Sequence, residues 1–417
     1  MAIASGPALA AWIPRLLAVW RRGSGRPAGG GAPRPRGRGV RGPPGPPRGG
    51  GGDLLLPDEL RGVAAAVERL SRGLTREREL AGARYLDEPR LLGAYLLFYW
   101  PVSYLQARGV LSELPRRPRR VLDLGSGPGP AAFAALDAGA AEVVAADRSR
   151  AALSAATALA GEAGEPLSVR EWNPTRPAPL RELGGGRPFD LVVMGHVLNE
   201  LWKGQDEAAR RAGLLEEALE LLAPGGSLVV IEPALRETSR ALLRVRDLLV
   251  ERGIAVRAPC LFRGLCPALA REGDWCHAER AVEPPSLVAQ IARAAGLRRE
   301  AVKMSYLVLA PRGEGWPLPP AGRTFRIVSE PLAGKGRLRY MGCGPEGRMG
   351  ISLQEKHVAE ANRRFGSLLR GDVVRVTGGA PRGDGLALDA ASSVEVVAAA
   401  GQPLPAGGPA SPEGPVR

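Results

Sequence analysis

Cysteines, long apolar runs and, near the start of the chain, acidic residues are all scarce. Four cysteines among 417 residues do not fit a secreted scaffold held together by disulfides. No uninterrupted apolar run approaches the roughly 18–20 residues of a membrane span, so the composition argues against a membrane protein. Acidic residues are absent from the first 52 positions, which sets that stretch apart from the rest of the chain.

The acid-free stretch, residues 1–52, has two parts. Residues 1–22 could form an apolar helix that carries arginine, whereas residues 23–52 hold too few apolar side chains to offset the entropy of ordering. We therefore expect a disordered Arg/Gly/Pro-rich extension or a targeting segment. A mitochondrial transit peptide, a flexible bacterial extension and an overlong start share this composition. Residues 399–417 form a Pro/Gly-rich tail that we also expect to be disordered.

Length and charge indicate a multi-domain protein with a polyanionic partner. At 417 residues the chain is long enough for two or three domains, and its 45% hydrophobic content can fill a core. The formal net charge is +14 and the pI is about 10.5, which favours binding to RNA through its phosphates. A GC-rich genome would also enrich arginine without any binding role, so the charge alone does not decide between RNA binding and a bias in composition.

A glycine-rich turn between an apolar run and an alanine-rich segment predicts a nucleotide-type site. The stretch Val121–Pro130 reads V-L-D-L-G-S-G-P-G-P, and Asp147 ends the next apolar run. Such a strand, turn and helix open a ligand site at the carboxyl end of the first strand of an α/β sheet. A carboxylate at the end of the second strand can accept both hydroxyls of a ribose. A dinucleotide fingerprint would place glycine where Pro130 stands, which disfavours NAD-type cofactors.

The G-x-G-x-G spacing with a preceding acidic residue resembles class I S-adenosylmethionine (SAM) methyltransferases. The resemblance implies a methyl-donor site at the carboxyl edge of the sheet. An asparagine after the third strand could reach an adenine edge, although a turn-forming role is equally compatible. The candidate donor-binding residues are Asp123, Gly125, Ser126, Gly127, Gly129, Asp147, Asn173 and His196.

Regular alternation of strand and helix patterns predicts an α/β fold with a parallel, Rossmann-like sheet. We expect a class I methyltransferase sheet domain at residues 116–312 and an N-terminal helical cap at residues 53–115. A Cys-rich insertion, residues 258–280, interrupts the sheet domain. Short β-like runs then predict a small C-terminal module of the oligonucleotide-binding (OB-like) kind at residues 323–398, whose many arginines could follow a phosphate backbone.

The loop after the fourth predicted strand is where class I methyltransferases place groups near the transferable methyl. It lacks both the Pro-Pro-aromatic clamp typical of enzymes that act on exocyclic base nitrogens and a cysteine nucleophile. The candidates for acid/base or orienting roles are His196, Asn199 and Glu200. Donor binding is therefore better supported by the sequence than methyl transfer.

All four cysteines lie in the C-terminal half: Cys260, Cys266, Cys276 and Cys343. Four thiolates suit either a tetrahedral zinc ion or an iron–sulfur cluster. The spacing is not C-x-x-C, so the tight turn typical of zinc ribbons is missing, but ligand softness alone leaves zinc open. Joining the last cysteine to the others through a metal would fix two domains against each other.

The cysteine pattern resembles the small-ribosomal-subunit methyltransferase-like family, which includes mitochondrial ribosome assembly factors and bacterial relatives. The motifs that carry the resemblance are Glu232-Pro233, Ala258-Pro-Cys260, Cys266-Pro267 and Asp274-Trp-Cys276-His277. It implies that the four cysteines hold a 4Fe–4S cluster and that the protein binds small-subunit rRNA during subunit assembly. The chain departs from the family pattern at Ala278, where an aromatic residue is common, and in the segment between Cys260 and Cys266.

Three functional hypotheses follow. The first is an rRNA-binding, methyltransferase-fold factor for small-subunit maturation, monomeric off the ribosome and without a membrane partner. The second is a true rRNA methyltransferase. The third is a small-molecule methyltransferase with a structural zinc site. For the first two, we expect a cytoplasmic location in a bacterium and the mitochondrial matrix in a eukaryote.

Overall fold

A computed structural model describes residues 7–23, 54–175, 179–298, 300–318 and 320–405. The elements fall into a layer of N-terminal helices, a mixed sheet with helices on both faces, and a second sheet built from the C-terminal residues. Within these described ranges, no helix combines the length and apolarity needed to span a membrane.

The N-terminal layer contains four helices: α1 (Pro7–Gly23), α2 (Pro57–Ser71), α3 (Pro89–Ala94) and α4 (Trp100–Leu111). Helix α2 begins at a proline and has two acidic residues in its first turn, where they face the exposed backbone N–H groups. Its buried side chains include Val63, Val67 and Leu70, whose spacing places them on one face of the helix. A widened π-helical turn at residues 95–99 joins α3 to α4.

Helix α1 lies in the part of the acid-free stretch, residues 1–22, for which the sequence allows an apolar helix. Its apolar face is buried, and Trp12 lies with its ring centroid 4.6 Å from that of Phe133 and 5.7 Å from that of Trp100. The indole Nε1 donates to Asp137 at 2.8 Å. Residues 7–23 are therefore part of the folded core, because the apolar stripe of this helix packs against α4 and against the helix that carries Phe133 and Asp137. The expectation of disorder for residues 24–52 lies outside the described residues, as it does for residues 406–417.

The main sheet confirms the predicted α/β fold with a Rossmann-like sheet. Its strands are β1 (Arg120–Leu124), β2 (Glu142–Asp147), β3 (Leu167–Glu171), β4 (Phe189–Gly195), β5 (Leu222–Pro233), β6 (Val256–Ala258), β7 (Ala278–Ala281) and β8 (Ala301–Leu309). They are ordered β3-β2-β1-β4-β5-β8-β6, and β7 also pairs with β8. Strands β1 to β5 are mutually parallel, whereas β8 runs antiparallel to β5. The order reverses between β1 and β4, which is where open α/β sheets bind their ligands.

Helices cover both faces of this sheet: α5 (Pro130–Asp137), α6 (Arg150–Ala163), α7 (Glu207–Leu219), α8 (Arg236–Glu251) and α9 (Ser286–Ala294). Successive residues of β4 alternate between two hydrophobic clusters. Leu191 and Val193 pack with the N-terminal layer, α5, α6 and α9, whereas Val192 and Met194 pack with α7 and α8. Burial on both faces explains why this strand is apolar throughout.

The C-terminal residues form a second sheet: β9 (Arg323–Ile327), β10 (Leu332–Gly334), β11 (Arg337–Gly344), β12 (Gly347–Gln354), β13 (Val373–Thr377), β14 (Ala380–Arg382), β15 (Gly385–Leu388) and β16 (Ser393–Ala398). Their order is β14-β15-β12-β11-β9-β13-β16, with β10 paired to β11. One face buries its own apolar cluster, including Phe325, Ile351 and Phe365. The assignment to an OB-like class stays a prediction.

Candidate functional site

The glycine turn after β1 is shaped for close approach of a ligand. Gly125 has a φ of 72°, and its N–H donates to the carbonyl of Ala146 at the end of β2, 2.7 Å away. A Cβ at this position would overlap the side chain of Val197, so the backbone conformation and the space both require glycine. The turn thereby ties β1 to β2 and leaves its backbone exposed along one side of a cavity.

Two aspartates shape this turn from inside. Asp147 accepts hydrogen bonds from the N–H groups of Gly127 and Ser149, both at 2.8 Å. Asp123 accepts from the N–H of Ala132 at 2.9 Å and so satisfies the first turn of α5. Burial raises the pKa of both carboxyls, that of Asp123 to about 7. Asp123 thus holds the start of α5, which follows the glycine turn directly.

A cavity of about 700 Å³, counting the part open to solvent, lies at the carboxyl ends of β1, β2 and β4. A smaller space of about 320 Å³ shares part of its lining, including Tyr95. Five predicted residues line the larger cavity: Gly125, Gly127, Asp147, His196 and Glu200. Asp123 and Ser126 line the smaller one, together with Gly125 and His196. The structure thus brings most of the predicted donor-binding residues to one place.

Two predicted residues have local roles in the backbone. Gly129, with a φ of 83°, is the residue before the first turn of α5. The side-chain oxygen of Asn173 accepts two hydrogen bonds from Thr175, one from its backbone N–H at 3.0 Å and one from its hydroxyl at 2.8 Å. This is the contact expected of a turn-forming asparagine, which was one of the two roles considered for Asn173. Its neighbours Trp172 and Pro174 do line the larger cavity.

A segment before α3, residues 83–87, forms a wall of the larger cavity that sequence reasoning missed. Arg148 donates to the carbonyls of Gly82 and Ala83 at 3.0 and 2.7 Å. Ser149 donates to Asp87 at 2.6 Å. These contacts connect the segment to the loop after β2. The only available sequence signal was the position of Arg148 and Ser149 directly after Asp147.

His196 is held as a neutral imidazole of one tautomer. Gln106 donates through Nε2 to the carbonyl of Lys303 at 2.8 Å, so its Oε1 is the atom that faces His196 Nε2, also at 2.8 Å. The proton therefore lies on Nε2, and Nδ1 keeps a lone pair. Burial lowers the pKa of His196 to about 4, so the ring is uncharged at neutral pH. Its φ of 62° is rare for a residue with a side chain.

Glu200 and Asn199 lie on opposite sides of the same short turn. Glu200 lines the larger cavity, accepts from the Tyr85 hydroxyl at 3.2 Å and lies 3.9 Å from Arg148. Burial raises the pKa of Glu200 to about 7, against the opposing effect of Arg148. Asn199 instead lines a separate cavity with Glu232, whose carboxylate accepts the N–H of Asn199 at 3.0 Å. The structure therefore places Glu200, and not Asn199, beside the glycine turn.

The four cysteines line a second cavity, of about 730 Å³ including the part open to solvent, between the main sheet and the second sheet. All four are free thiols. Burial and the proximity of Cys260 raise the pKa of Cys266 to about 12 and that of Cys276 to about 11, and raise that of Cys343 further. Among the residues that the structure describes, no three His, Cys, Asp or Glu side chains are grouped so as to hold a metal ion.

Helix α8 anchors the loop that carries three of these cysteines. Arg246, almost fully buried, donates to the carbonyl of Phe262 at 2.6 Å and also to that of Gly264. Both carboxylate oxygens of Asp247 accept a hydrogen bond from the N–H of Cys266, each at 3.0 Å. These contacts fix a stretch of chain between β6 and β7 that has little regular structure of its own. The sequence did not predict these contacts, because α8 has the pattern of an ordinary amphipathic helix.

Comparison with known proteins gives one family and many similar folds. The sequence model of the family described as mitochondrial small ribosomal subunit Rsm22 matches residues 92–383. No curated protein sequence matches at a significant level.

Among solved structures, an O-methyltransferase family protein from Burkholderia thailandensis is 18% identical, with a TM-score of 0.37 over 62% of this chain and 74% of its own. A ribosomal protein L11 methylase from Lactobacillus delbrueckii subsp. bulgaricus is 16% identical, with a TM-score of 0.30 over 51% of this chain and 77% of its own. Similarity at this level says nothing about activity or substrate.

Proposed function

This chain belongs to the Rsm22 family of the mitochondrial small ribosomal subunit, and we propose that it is a SAM-binding, iron–sulfur factor that binds small-subunit rRNA. The observation that carries the proposal is the cavity at the point where the strand order reverses. The glycine turn, a buried aspartate and the loop after β4 meet there. Rossmann-like sheets bind nucleosides at this edge.

Each part of the donor cavity has a role in this proposal. Asp147, at the end of β2, would accept the ribose hydroxyls, and the backbone of Gly125 and Gly127 would run beneath the nucleoside. The smaller space beside Asp123 and Ser126 would take the amino-acid end of the donor. SAM supplies an activated methyl group when bound. The segment at residues 83–87 would cover the ligand and exclude water from it.

We propose a 4Fe–4S cluster at the cysteine cavity, because the chemistry of the four thiols that line it suits such a group. Four soft ligands face one space, and they come from the loop between β6 and β7 and from β11. The Nε–H groups of Arg246, Arg280 and Arg326 are buried without a partner in the described part of the chain. Such donors suit the sulfur atoms of a cluster, whose properties depend on hydrogen bonds to sulfur. Zinc is the alternative occupant.

The second sheet is the proposed contact surface for rRNA phosphates. Its exposed cations are spread over the strands and the segments that connect them: Arg323, Lys335, Arg337, Lys356, Arg363, Arg364 and Arg382. A net charge of +14 supports a partner that carries many phosphates. We expect the protein to act as a monomer on the precursor of the small subunit, in the matrix of a mitochondrion or the cytoplasm of a bacterium.

Two measurements test this function. Calorimetric titration with SAM should show binding that Asp147→Ala weakens at least about tenfold, since hydrogen bonds to a charged group contribute roughly 1.5–3 kcal/mol each. Glu171→Gln is the matched control, because Glu171 is the register partner of Asp147 on β3 but pairs with Arg150 at the surface. Equal affinities in all three proteins would reject the donor site.

Anaerobic purification with quantification of iron, sulfide and zinc, repeated for Cys266→Ser, tests the cluster. A lower content of iron and sulfide in the variant than in the wild type supports the cluster. One zinc per chain without iron rejects it. Filter binding to small-subunit rRNA across a salt series tests the partner, and affinity that does not fall with salt would argue for a small-molecule substrate.

Methyl transfer to rRNA is a second candidate function, favoured by one observation. Glu200 lines the donor cavity with a pKa raised to about 7 by burial, which is near the value that suits a general base at neutral pH. Glu200→Gln should then abolish transfer of labelled methyl to small-subunit rRNA while SAM still binds. An absence of transfer in the wild-type protein with rRNA binding intact would leave the binding function alone.

A further inference from the structure

One buried carboxylate serves two arginines at the boundary between the two sheets. Glu113, which follows α4, lies with Oε1 3.0 Å from Arg280 Nη2 and with Oε2 3.4 Å from Arg326 Nη1. The hydroxyl of Tyr306 donates to the same Oε2 at 2.7 Å. The three charged side chains are only 2%, 5% and 6% exposed. Two cations on one anion leave an excess positive charge in a buried group, which is costly unless another anion lies nearby.

Both arginines lie at the cysteine cavity. Arg280 on β7 and Arg326 on β9 are part of its lining. Arg326 is the register partner of Cys343 on the neighbouring strand β11, so the two side chains emerge on the same face of the sheet. The side of the cavity formed by the second sheet therefore presents a thiol and a guanidinium together.

The hydrogen bonds of these arginines do not use the Nε–H of either one. Arg280 Nη1 donates to the carbonyl of Arg370 at 3.2 Å, and Arg326 Nη1 donates to that of Gly371 at 3.1 Å. Their Nε–H groups, both buried, have no acceptor among the residues that the structure describes. A buried N–H without an acceptor is unfavourable, so such a pair beside one cavity points to an acceptor within it.

We propose that Arg280 and Arg326 are the counter-cations of the metal centre at the cysteine cavity, and that Glu113 and Tyr306 position them. The inference rests on the proposed function, because a metal centre must be present. Four thiolates around either a 4Fe–4S core in its usual oxidised state or a zinc ion form a dianion. The excess charge on the Glu113 group offsets part of that dianion, and the Nε–H groups donate to its sulfur atoms. The arginines touch sulfur and do not ligate the metal.

The test compares metal retention in anaerobically purified, metal-loaded full-length protein. Arg326→Gln should release metal to a chelator about tenfold faster than wild type, which corresponds to ~1.4 kcal/mol. If the metal is iron, the reduction potential should also move to more negative values, because a positive charge beside the cluster favours the reduced form. Arg326→Lys keeps the charge, so it should restore most of the potential. Arg375→Gln is the matched control, since Arg375 lies on the same sheet but pairs with Glu395 at the surface.

The Glu113→Gln variant distinguishes an effect of charge on the metal centre from the loss of a contact that stabilises the fold. Removing the carboxylate leaves both cations for the metal centre, so this variant should hold metal better than Arg326→Gln. Faster loss from Glu113→Gln than from Arg326→Gln would mean that the group acts as a fold contact, which overturns the inference. Metal-loaded wild type and Arg326→Gln with equal release rates would also overturn it, with the proposed metal centre intact. Wild-type protein without iron or zinc would overturn both.

Discussion

Replacing Trp12 by alanine should destabilise the protein by about 4 kcal/mol, although this residue lies in the arginine-rich start of the chain. Its side chain is 1% exposed and packs against Trp100 and Phe133. Truncating a buried Trp or Phe to alanine typically costs about 3–5 kcal/mol, from lost burial and the cavity left behind. The lost hydrogen bond to Asp137 adds little, because the hydroxyl of Tyr104 still donates to that carboxylate.

Urea unfolding followed by far-UV circular dichroism at neutral pH measures this change. Arg22→Ala is the control from the same helix. Its ion pair with Glu162, at 2.6 Å, is half exposed, so its loss should cost less than about 1 kcal/mol. A Trp12→Ala protein within about 1 kcal/mol of wild type would refute the docking of α1 on α4 and α5.

Two further predictions concern the donor cavity. The pKa of His196 is about 4 in the folded protein against 6.5 for a free histidine, so the unfolded chain takes up a proton first as the pH falls. Stability present at pH 7 is therefore lost towards pH 4, and between pH 7 and pH 5 wild type should lose roughly 2 kcal/mol more than His196→Asn in urea unfolding; parallel pH profiles would contradict this. Gly125→Ala should weaken SAM binding at least about tenfold in calorimetry, because the added methyl overlaps Val197. Gly139→Ala, with a φ of 99° and open space around it, is the control for backbone strain alone, and equal affinities in the two variants would reject the steric account.

The glycine turn and the position of Asp147 beside it were largely predictable because their signals are local. The glycine turn, the apolar strand before it and Asp147 lie within a stretch of about thirty residues, and backbone sterics dictate what such a stretch forms. The α/β fold follows from the same alternation. The catalytic and donor-binding assignments stay predictions, although the structure separates Asn199 from Glu200 and shows Asn173 in a turn.

Features that join distant parts of the chain could not be predicted. The sequence allowed an apolar helix within residues 1–22 but gave no partner for it, whereas the structure packs residues 7–23 against α4 and α5. The wall at residues 83–87 depends on Arg148 and Ser149, more than sixty positions later. No local sequence pattern predicts these pairings, because the two segments of each pair lie far apart in the chain and neither identifies its partner.

The sequence by itself determined the glycine turn, the alternating strands and helices, and the four thiols of Cys260, Cys266, Cys276 and Cys343, since each depends on residue type and short-range spacing. Only the tertiary structure decided that these thiols face one cavity and that Glu113 holds Arg280 and Arg326 beside it. Glu113 and Arg326 lie 213 positions apart in the chain. Their meeting depends on how the second sheet packs against the first, which is a property of the assembled core.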